Sequence, residues 1–446
     1  MPALPLLRRR FCLANHPLSG AKDRANGCQA RPQKGDGRQT PAARRVVPPV
    51  VSRAAIVVGE VVRPPTSFGA VCSNRCLMLV RLVCIAGARP NFMKIAPLIE
   101  ALRQDAAFAV RLVHTGQHYD ENMSSRFFEE LGLPEPDYHL AVGSGSHARQ
   151  AAAVMERLEP VLEQEQPDGV VVAGDVNSTL AGALTAKKMG LAVVHLEAGL
   201  RSFDRTMPEE INRIVTDAIS DVLLVSEESG VRNLLREGVP EERIELVGNV
   251  MIDSLRKHLD RALQSDIRTR LGIDGEFGLV TLHRPANVDN EGRRSEILAA
   301  LAEISSEVPL YWPVHPRSRA RLEAERAPLP ERLHLCEPLG YLDFLCLEAT
   351  CKFVLTDSGG IQEETTALGV PCLTLRENTE RPVTVERGTN RLAGTSRESI
   401  LAAWEQTKAN PKRGELPPLW DGHAAERCRQ ALRRFFVEPQ KRTRDV

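Results

Sequence analysis

From Met78 onward, short runs of β-branched and leucine residues alternate with longer segments of helical periodicity, and this alternation constrains the fold more than any other feature. Leu79–Ala86 is a Val/Leu/Ile run, and after it Ile95, Leu98, Ile99 and Leu102 fall on one helical face. The same switch recurs. Val110–Val113 precedes a helix through Met123–Leu131, Gly169–Ala173 precedes Ser178–Met189, Ala192–Leu196 precedes Pro208–Ile219, and Val222–Val225 precedes Glu227–Glu237. Strands joined by helix-length crossovers pair in parallel, and a parallel sheet needs cover on both faces. A second series follows Asn249, with strands at Gly278–Leu282, Leu310–Val314, Leu333–Leu335, Phe353–Leu355 and Pro371–Leu375; Met251–Asp274 reads as a polar helical connection. The expectation is an α/β protein of two doubly wound, Rossmann-like domains, 78–249 and 250–436, with a cleft between them. The apolar face of the last helix, Ala424–Phe436, needs a partner and can find one by crossing back onto the first domain; 437–446 is a charged tail.

Residues 1–77 carry none of this pattern. They hold 13 Lys/Arg against 3 Asp/Glu, the pairs Pro48-Pro49 and Pro64-Pro65, and the run Arg8-Arg9-Arg10. Such a segment buries little apolar surface and reads as a disordered extension. A start assigned upstream of Met78 is the favoured origin, ahead of a targeting or interaction tail. Arg8–Arg10 is not followed by the long apolar core of a secretory signal. Ala54–Val62, interrupted by Gly59 and Glu60, is a poor membrane segment. Over the whole chain 58 basic residues balance 58 acidic ones, which argues against nucleic-acid or membrane-surface partners. Cys72-x-x-x-Cys76 lacks a second ligand pair at zinc spacing, and the other cysteines read mostly as small core residues of a protein from a reducing cytoplasm. No metal and no cofactor is expected.

In open parallel sheets ligands bind where strand ends feed helix N-termini, and the informative residues cluster there. Gly87-Ala88-Arg89-Pro90 is a tight turn whose amides and Arg89, with Lys94 one turn later, can face an anion; solvated basic residues on a turn fit equally well. Asp357-Ser358-Gly359-Gly360-Ile361-Gln362-Glu363-Glu364 offers unhindered N–H groups and a hydroxyl to a diphosphate, or simply a capped helix start. Glu363 and Glu364 would repel a phosphate, so one of them suits ribose hydroxyls better. Asp175, after Val170–Ala173, is either an N-cap or a cleft group. His195 and Glu197 end a strand expected to be buried on both faces, which demands that they be paired or functional. Glu209 and Glu210 complement a helix dipole, yet with Asp175 and Glu197 the first of them gathers three carboxylates at one side of the sheet. His283-Arg284 and His315 end strands of the second domain.

Together, and in order, these motifs resemble the non-hydrolysing UDP-N-acetylglucosamine 2-epimerases, with their GT-B-like two-domain fold, from about Met78 to Phe436. They are Gly87-Ala88-Arg89-Pro90 with Lys94, Gly174-Asp175, His195-Leu196-Glu197-Ala198-Gly199-Leu200-Arg201, Pro208-Glu209-Glu210-Ile211-Asn212-Arg213, Gly248-Asn249, His283-Arg284, Pro313-Val314-His315, the Asp357–Glu364 loop and Thr379-Glu380-Arg381-Pro382. The resemblance implies reversible conversion of UDP-GlcNAc to UDP-ManNAc by elimination of UDP to 2-acetamidoglucal and re-addition, supplying precursors for cell-surface polysaccharide. It makes Asp175, Glu197 and Glu209 the acid/base candidates and sets His283 at the departing β-phosphate. Arg89, Lys94, Ser358, Gly359 and Gly360 then hold the diphosphate, Glu364 the ribose, and Arg284, His315, Phe344 and Arg381 complete the substrate contacts. It also implies a homodimer. The alternatives are an epimerase of another UDP sugar such as a 2,3-diacetamido uronic acid, a hydrolysing epimerase, or a non-catalytic UDP-sugar-binding protein. The chain departs from the family pattern at Ala88, Asn91, Asp120, Pro285-Ala286 and Leu339. The Gln117-His118-Tyr119-Asp120 loop belongs, in the bacterial enzymes, to activation by a second UDP-GlcNAc, and Asp120 puts that regulation in doubt.

Overall fold

Each half of the chain lays its β-branched residues into a parallel sheet whose two faces are both covered. The computed structural model describes residues 79–117, 132, 135–314, 319, 322 and 330–438. The first half contains β1 (Val80–Ala86), α1 (Arg89–Arg103), β2 (Phe108–His114), β3 (Tyr138–His139), α2 (His147–Glu165), β4 (Gly169–Ala173) and α3 (Asn177–Lys188). It continues through β5 (Ala192–Ala198), α4 (Pro208–Ile219), β6 (Val222–Val225), α5 (Glu228–Arg236) and β7 (Ile244–Leu246). Among the described residues its sheet has the order β3-β2-β1-β4-β5-β6-β7, all parallel.

The alternation that defines a strand is visible in what each residue touches. In β1, Leu82, Cys84 and Ala86 enter the core on one face, and Val83 and Ile85 the core on the other. In β4, Val171 and Ala173 take the first face while Val170 and Val172 take the second. Each such valine or leucine, fully buried, contributes roughly 1.5–3 kcal/mol relative to exposure.

The second half repeats the plan. α6 (Val250–Ala262) and α7 (Ile267–Arg270) lead into β8 (Gly278–Thr281), α8 (Pro285–Val288), α9 (Glu291–Glu307), β9 (Leu310–Pro313), β10 (Leu333–Cys336), α10 (Tyr341–Thr350) and β11 (Phe353–Thr356). Then come α11 (Gly359–Leu368), β12 (Cys372–Thr374), α12 (Pro382–Glu386), β13 (Asn390–Leu392), α13 (Arg397–Ala409) and α14 (Ala424–Phe436). The described strands order as β10-β9-β8-β11-β12-β13, again all parallel.

Two helices join the halves. Met251 and Leu255 of α6 lie in one core with Leu98 of α1 and Tyr341 and Leu345 of α10, and Ser254 Oγ donates to the Met93 carbonyl at 2.6 Å. α14 returns to the first sheet, where Cys428, Ala431 and Leu432 pack with Leu82 and Ile99. Arg429 and Arg433 of α14 both reach Asp105, at 2.6 and 2.9 Å.

The structure adds elements to those read from sequence. α2 is a 19-residue helix that the periodicity left unassigned, because its buried stripe is a single row, Gln150, Val154, Leu158 and Leu162. Short β3, β7 and β13 were likewise unassigned, and all three are edge strands. The helix expected through Met123–Leu131 lies outside the described residues. Among the described residues the cysteines are buried free thiols, and no helix is long and apolar enough to cross a membrane.

Candidate active site

The carboxyl ends of the two sheets present their charged side chains to each other. On the first sheet, β5 slips register between Leu196 and Ala198, and Glu197 between them adopts φ +71°. A non-glycine residue held there carries strain of order 1–3 kcal/mol, which surrounding contacts must offset. They do so from both sides. Lys94 of α1 pairs with Glu197 Oε2, and Arg381 Nη2, from the second half, donates to Oε1 at 2.7 Å. Gly174, at φ +67°, closes the approach, since a Cβ there would lie 3.0 Å from Lys94 Nζ and 3.4 Å from Glu197 Oε2. Asn91 knits the turn before it, accepting from the Ala88 amide at 3.0 Å and donating to the Ala173 carbonyl at 2.7 Å.

Asp175 is no helix cap, because α3 begins at Asn177 behind Val176. Its Oδ2 pairs with Arg213 of α4, while its side chain stays 26% exposed. Burial alone would raise the Asp175 carboxyl, but Arg213, Lys94 and Arg381 together hold it below the usual range. Arg213 is itself fixed by Glu210, at 2.7 Å, and Glu210 accepts from the Ser202 and Phe203 amides at 2.9 Å. His195 is structural. It is fully buried, with Nδ1 at 2.6 Å from Asp217 and Nε2 at 2.8 Å from the Gly174 carbonyl.

On the second sheet, buried Asp357 gathers the loop after β8. It accepts from the backbone N–H of His283 and of Arg284, both at 3.0 Å, and lies 2.9 Å from His283 Nδ1. Burial pushes the Asp357 carboxyl up, yet the His283 imidazole and these amides bring it below its ordinary value. The His283 ring is 65% exposed, so it is anchored by one nitrogen and open at the other. Ser358 occupies the N-cap position of α11 without a side-chain capping bond, so the capped-start reading does not account for it.

Arg381 is the centre of the cleft. Besides Glu197 it reaches Glu380 at 2.6 Å through Nη1, and its Nε lies 2.9 Å from Glu363. Gly359 is required for this, because a Cβ there would meet Arg381 Nη1 at 2.4 Å. Glu380 also takes Arg376 at 2.7 Å and Arg284 at 3.4 Å. Despite burial, Arg381, Arg376 and Arg284 hold Glu380 well below the ordinary carboxylate range.

Of the residues singled out from sequence, Lys94, Asp175, Glu197 and Arg381 converge here. Glu209, half-buried on α4, lies in the field of Arg284. Ser358, Gly359 and Gly360 open α11 beside them. Glu364 Oε1 accepts from Tyr341 Oη at 3.4 Å, and Phe344 is half-buried against the cluster that holds Phe277, Leu347 and Val354. His315 and the side chain of Arg89 lie outside the described residues. Sequence reasoning missed the roles of Arg213, Glu363, Arg376 and Glu227. Arg213 carried a local signal, standing three residues after Glu210, within helical reach, and Arg376 stands four residues before Glu380.

Glu227, after β6, is buried with Ser229 Oγ donating to it. Burial pushes it up to about 8; Ser229 pulls back, and Glu363 pushes the same way as burial. The unfolded carboxyl titrates near 4.5, so between about 4.5 and 8 the folded form holds a proton that the unfolded one has lost. Stability therefore falls as pH rises through that window. Glu227→Gln, which cannot titrate, should raise the melting temperature by a margin that grows from about pH 5 to about pH 8; a margin independent of pH would refute the assignment.

Charged groups meeting at the carboxyl ends of two doubly wound sheets define a GT-B-like α/β enzyme architecture. Comparison with known proteins takes this to a family. A family model described as UDP-N-acetylglucosamine 2-epimerase matches residues 100–433. The chain is 44% identical over 363 residues to the UDP-N-acetylglucosamine 2-epimerase of Methanocaldococcus jannaschii, covering 79% of this chain and 99% of that protein. It is 41% identical over 327 residues to the UDP-2,3-diacetamido-2,3-dideoxy-D-glucuronate 2-epimerase of Pseudomonas aeruginosa, covering 72% of this chain and 90% of that protein. The crystal structure of the Methanocaldococcus jannaschii UDP-GlcNAc 2-epimerase in complex with UDP-GlcNAc and UDP matches with a TM-score of 0.75 at 43% identity, covering 79% of this chain and 99% of that one. The chain belongs to the UDP-N-acetylglucosamine 2-epimerase family.

Proposed function

We propose that the protein interconverts UDP-GlcNAc and UDP-ManNAc by inversion at C2, without releasing free sugar, as a cytoplasmic homodimer that serves cell-surface polysaccharide synthesis. The observation that carries the reading is the joint presence, in one cleft, of ionised Asp175, the doubly paired Glu197 and the cations Lys94 and Arg381.

The C2 proton is not α to a carbonyl. Its removal needs the C1–O bond to be breaking, so that positive charge develops at the ring while negative charge develops on the departing UDP. A carboxylate takes the proton, the C1–O electrons leave with UDP, and a C1=C2 double bond forms. In the return step a UDP oxygen attacks C1 and a proton reaches C2 from the opposite face. Two faces require more than one acid/base group. Asp175, held ionised and partly open to solvent, suits proton removal. Glu197, with a cation on each oxygen, suits stabilisation of the cationic ring, and Glu209 is the third candidate. His283, anchored through Nδ1, can meet the β-phosphate with its other nitrogen. Lys94 and Arg89, Arg284 and the Ser358–Gly360 amides supply positive potential for the diphosphate.

Proton NMR of the protein with UDP-GlcNAc in D₂O tests this. UDP-ManNAc carrying deuterium at C2, with the nucleotide retained, is the expected product. Free ManNAc and UDP would overturn the non-hydrolysing reading. The similarity to the diacetamido-glucuronate epimerase favours a second reading, in which the substrate carries a C6 carboxylate; turnover of that sugar and not of UDP-GlcNAc would establish it.

A further inference from the structure

Behind Glu364 lies another buried carboxyl. Glu348, on α10, is completely buried, and neither of its oxygens has an N–H or O–H partner among the described residues. The group facing it is the Glu364 carboxyl, which is itself only 4% exposed. Two ionised carboxylates both only accept hydrogen bonds, and in a buried setting their like charges repel strongly. A proton between them turns the clash into a strong O–H···O bond.

Among the described residues, no cation acts on the pair that would let both ionise. Burial pushes the Tyr341 phenol and the Cys351 thiol well up, and the Cys372 thiol up to about 12, so all stay neutral. His258, on α6 with its ring 6.1 Å from that of Tyr341, is pushed down to about 4 by burial and is also neutral at pH 7. Glu363, the next residue along α11, adds negative rather than positive potential and has Arg381 as its own partner.

We infer that Glu348 is a positioning residue that shares a proton with Glu364 and thereby holds the Glu364 carboxyl ready to accept hydrogen bonds from the ribose hydroxyls of a uridine diphosphate. The inference rests on the reading of Glu364 as the ribose acceptor and goes beyond it by assigning the group that makes this acceptor possible.

Glu348→Gln keeps a neutral donor of the same size, whereas Glu348→Met keeps the size and removes the donor. Calorimetric titration with UDP at neutral pH should find Glu348→Gln within about threefold of wild type and Glu348→Met weaker by about tenfold or more. Both variants should melt as folded proteins. Rescue by glutamine is what a merely space-filling role would not produce. Wild-type binding by Glu348→Met, or equal weakening in both variants, would overturn the inference. An infrared difference spectrum, wild type minus Glu348→Gln, should contain the carbonyl stretch of a protonated carboxylic acid. Unchanged UDP binding by Glu364→Gln would remove the ribose assignment alone. The infrared difference then decides the shared proton, and absence of the band overturns it.

Discussion

Asp175→Asn should lower kcat by roughly 10²-fold or more while leaving the melting temperature close to that of the wild type. The amide keeps the shape of the carboxyl and one oxygen for Arg213, so the packing around Arg213 and Glu210 survives. What it loses is the proton-accepting carboxylate that Arg213, Lys94 and Arg381 keep ionised at neutral pH. Because the loss lies in the reaction step rather than in binding, KM should change little. Deuterium entry at C2 should slow in parallel with turnover, since the same proton transfer governs both. Glu197→Gln should lose a similar factor for a different reason. Lys94 and Arg381 would face each other across a neutral group, so turnover and thermal stability should fall together. Near-wild-type turnover in either variant would remove that residue from the mechanism.

The strands that were legible in the sequence are those buried on both faces. Gly169–Ala173 and Val222–Val225 have every residue buried, and a run without polar interruption marks them. Ile244–Leu246 and Asn390–Leu392 could not be read this way. They are three-residue edge strands with a charged residue at the centre, and edges need neither length nor a second apolar face. The helix His147–Glu165 escaped for a related reason, since one buried row every fourth residue is a narrower stripe than the usual amphipathic face. At the site, residue types at strand ends were legible, but their pairings were not. Lys94 and Glu197 are 103 positions apart, and Glu197 and Arg381 are 184 apart. Nothing local links them. Glu363 shows the consequence. From sequence it was an acid misplaced beside a phosphate loop; in the fold it turns to Arg381, and the difficulty disappears. His195 shows the converse, because a histidine at a strand end looked as functional as His283 until Asp217 and the Gly174 carbonyl accounted for both its nitrogens.

Arg381→Met should cost roughly 3–5 kcal/mol of stability, the usual penalty for removing one partner from a buried charge network, and should abolish most turnover. Arg381 serves Glu197, Glu380 and Glu363 from one guanidinium. Without it Glu197 retains Lys94 and Glu380 retains Arg376. Glu363 is the residue left most exposed to the loss, because burial already pushes it up to about 7 with Arg381 in place. In the variant its carboxyl must rise further. A carboxyl whose folded pKa is raised keeps its stability below the unfolded value and loses it as pH climbs through the folded value. The deficit of Arg381→Met should therefore deepen from about pH 6 to about pH 9. Arg381→Lys should fall between the two, since one ammonium cannot reproduce a planar fork aimed at three acids. The decisive comparison is the double variant Arg381→Met/Glu363→Gln. If the penalty comes from a stranded buried carboxylate, removing that charge should recover part of the stability, most strongly at alkaline pH, without recovering kcat. Additive losses in the double variant, independent of pH, would mean that Arg381 stabilises the cleft by packing alone. In that case Glu197 would need a different anchor.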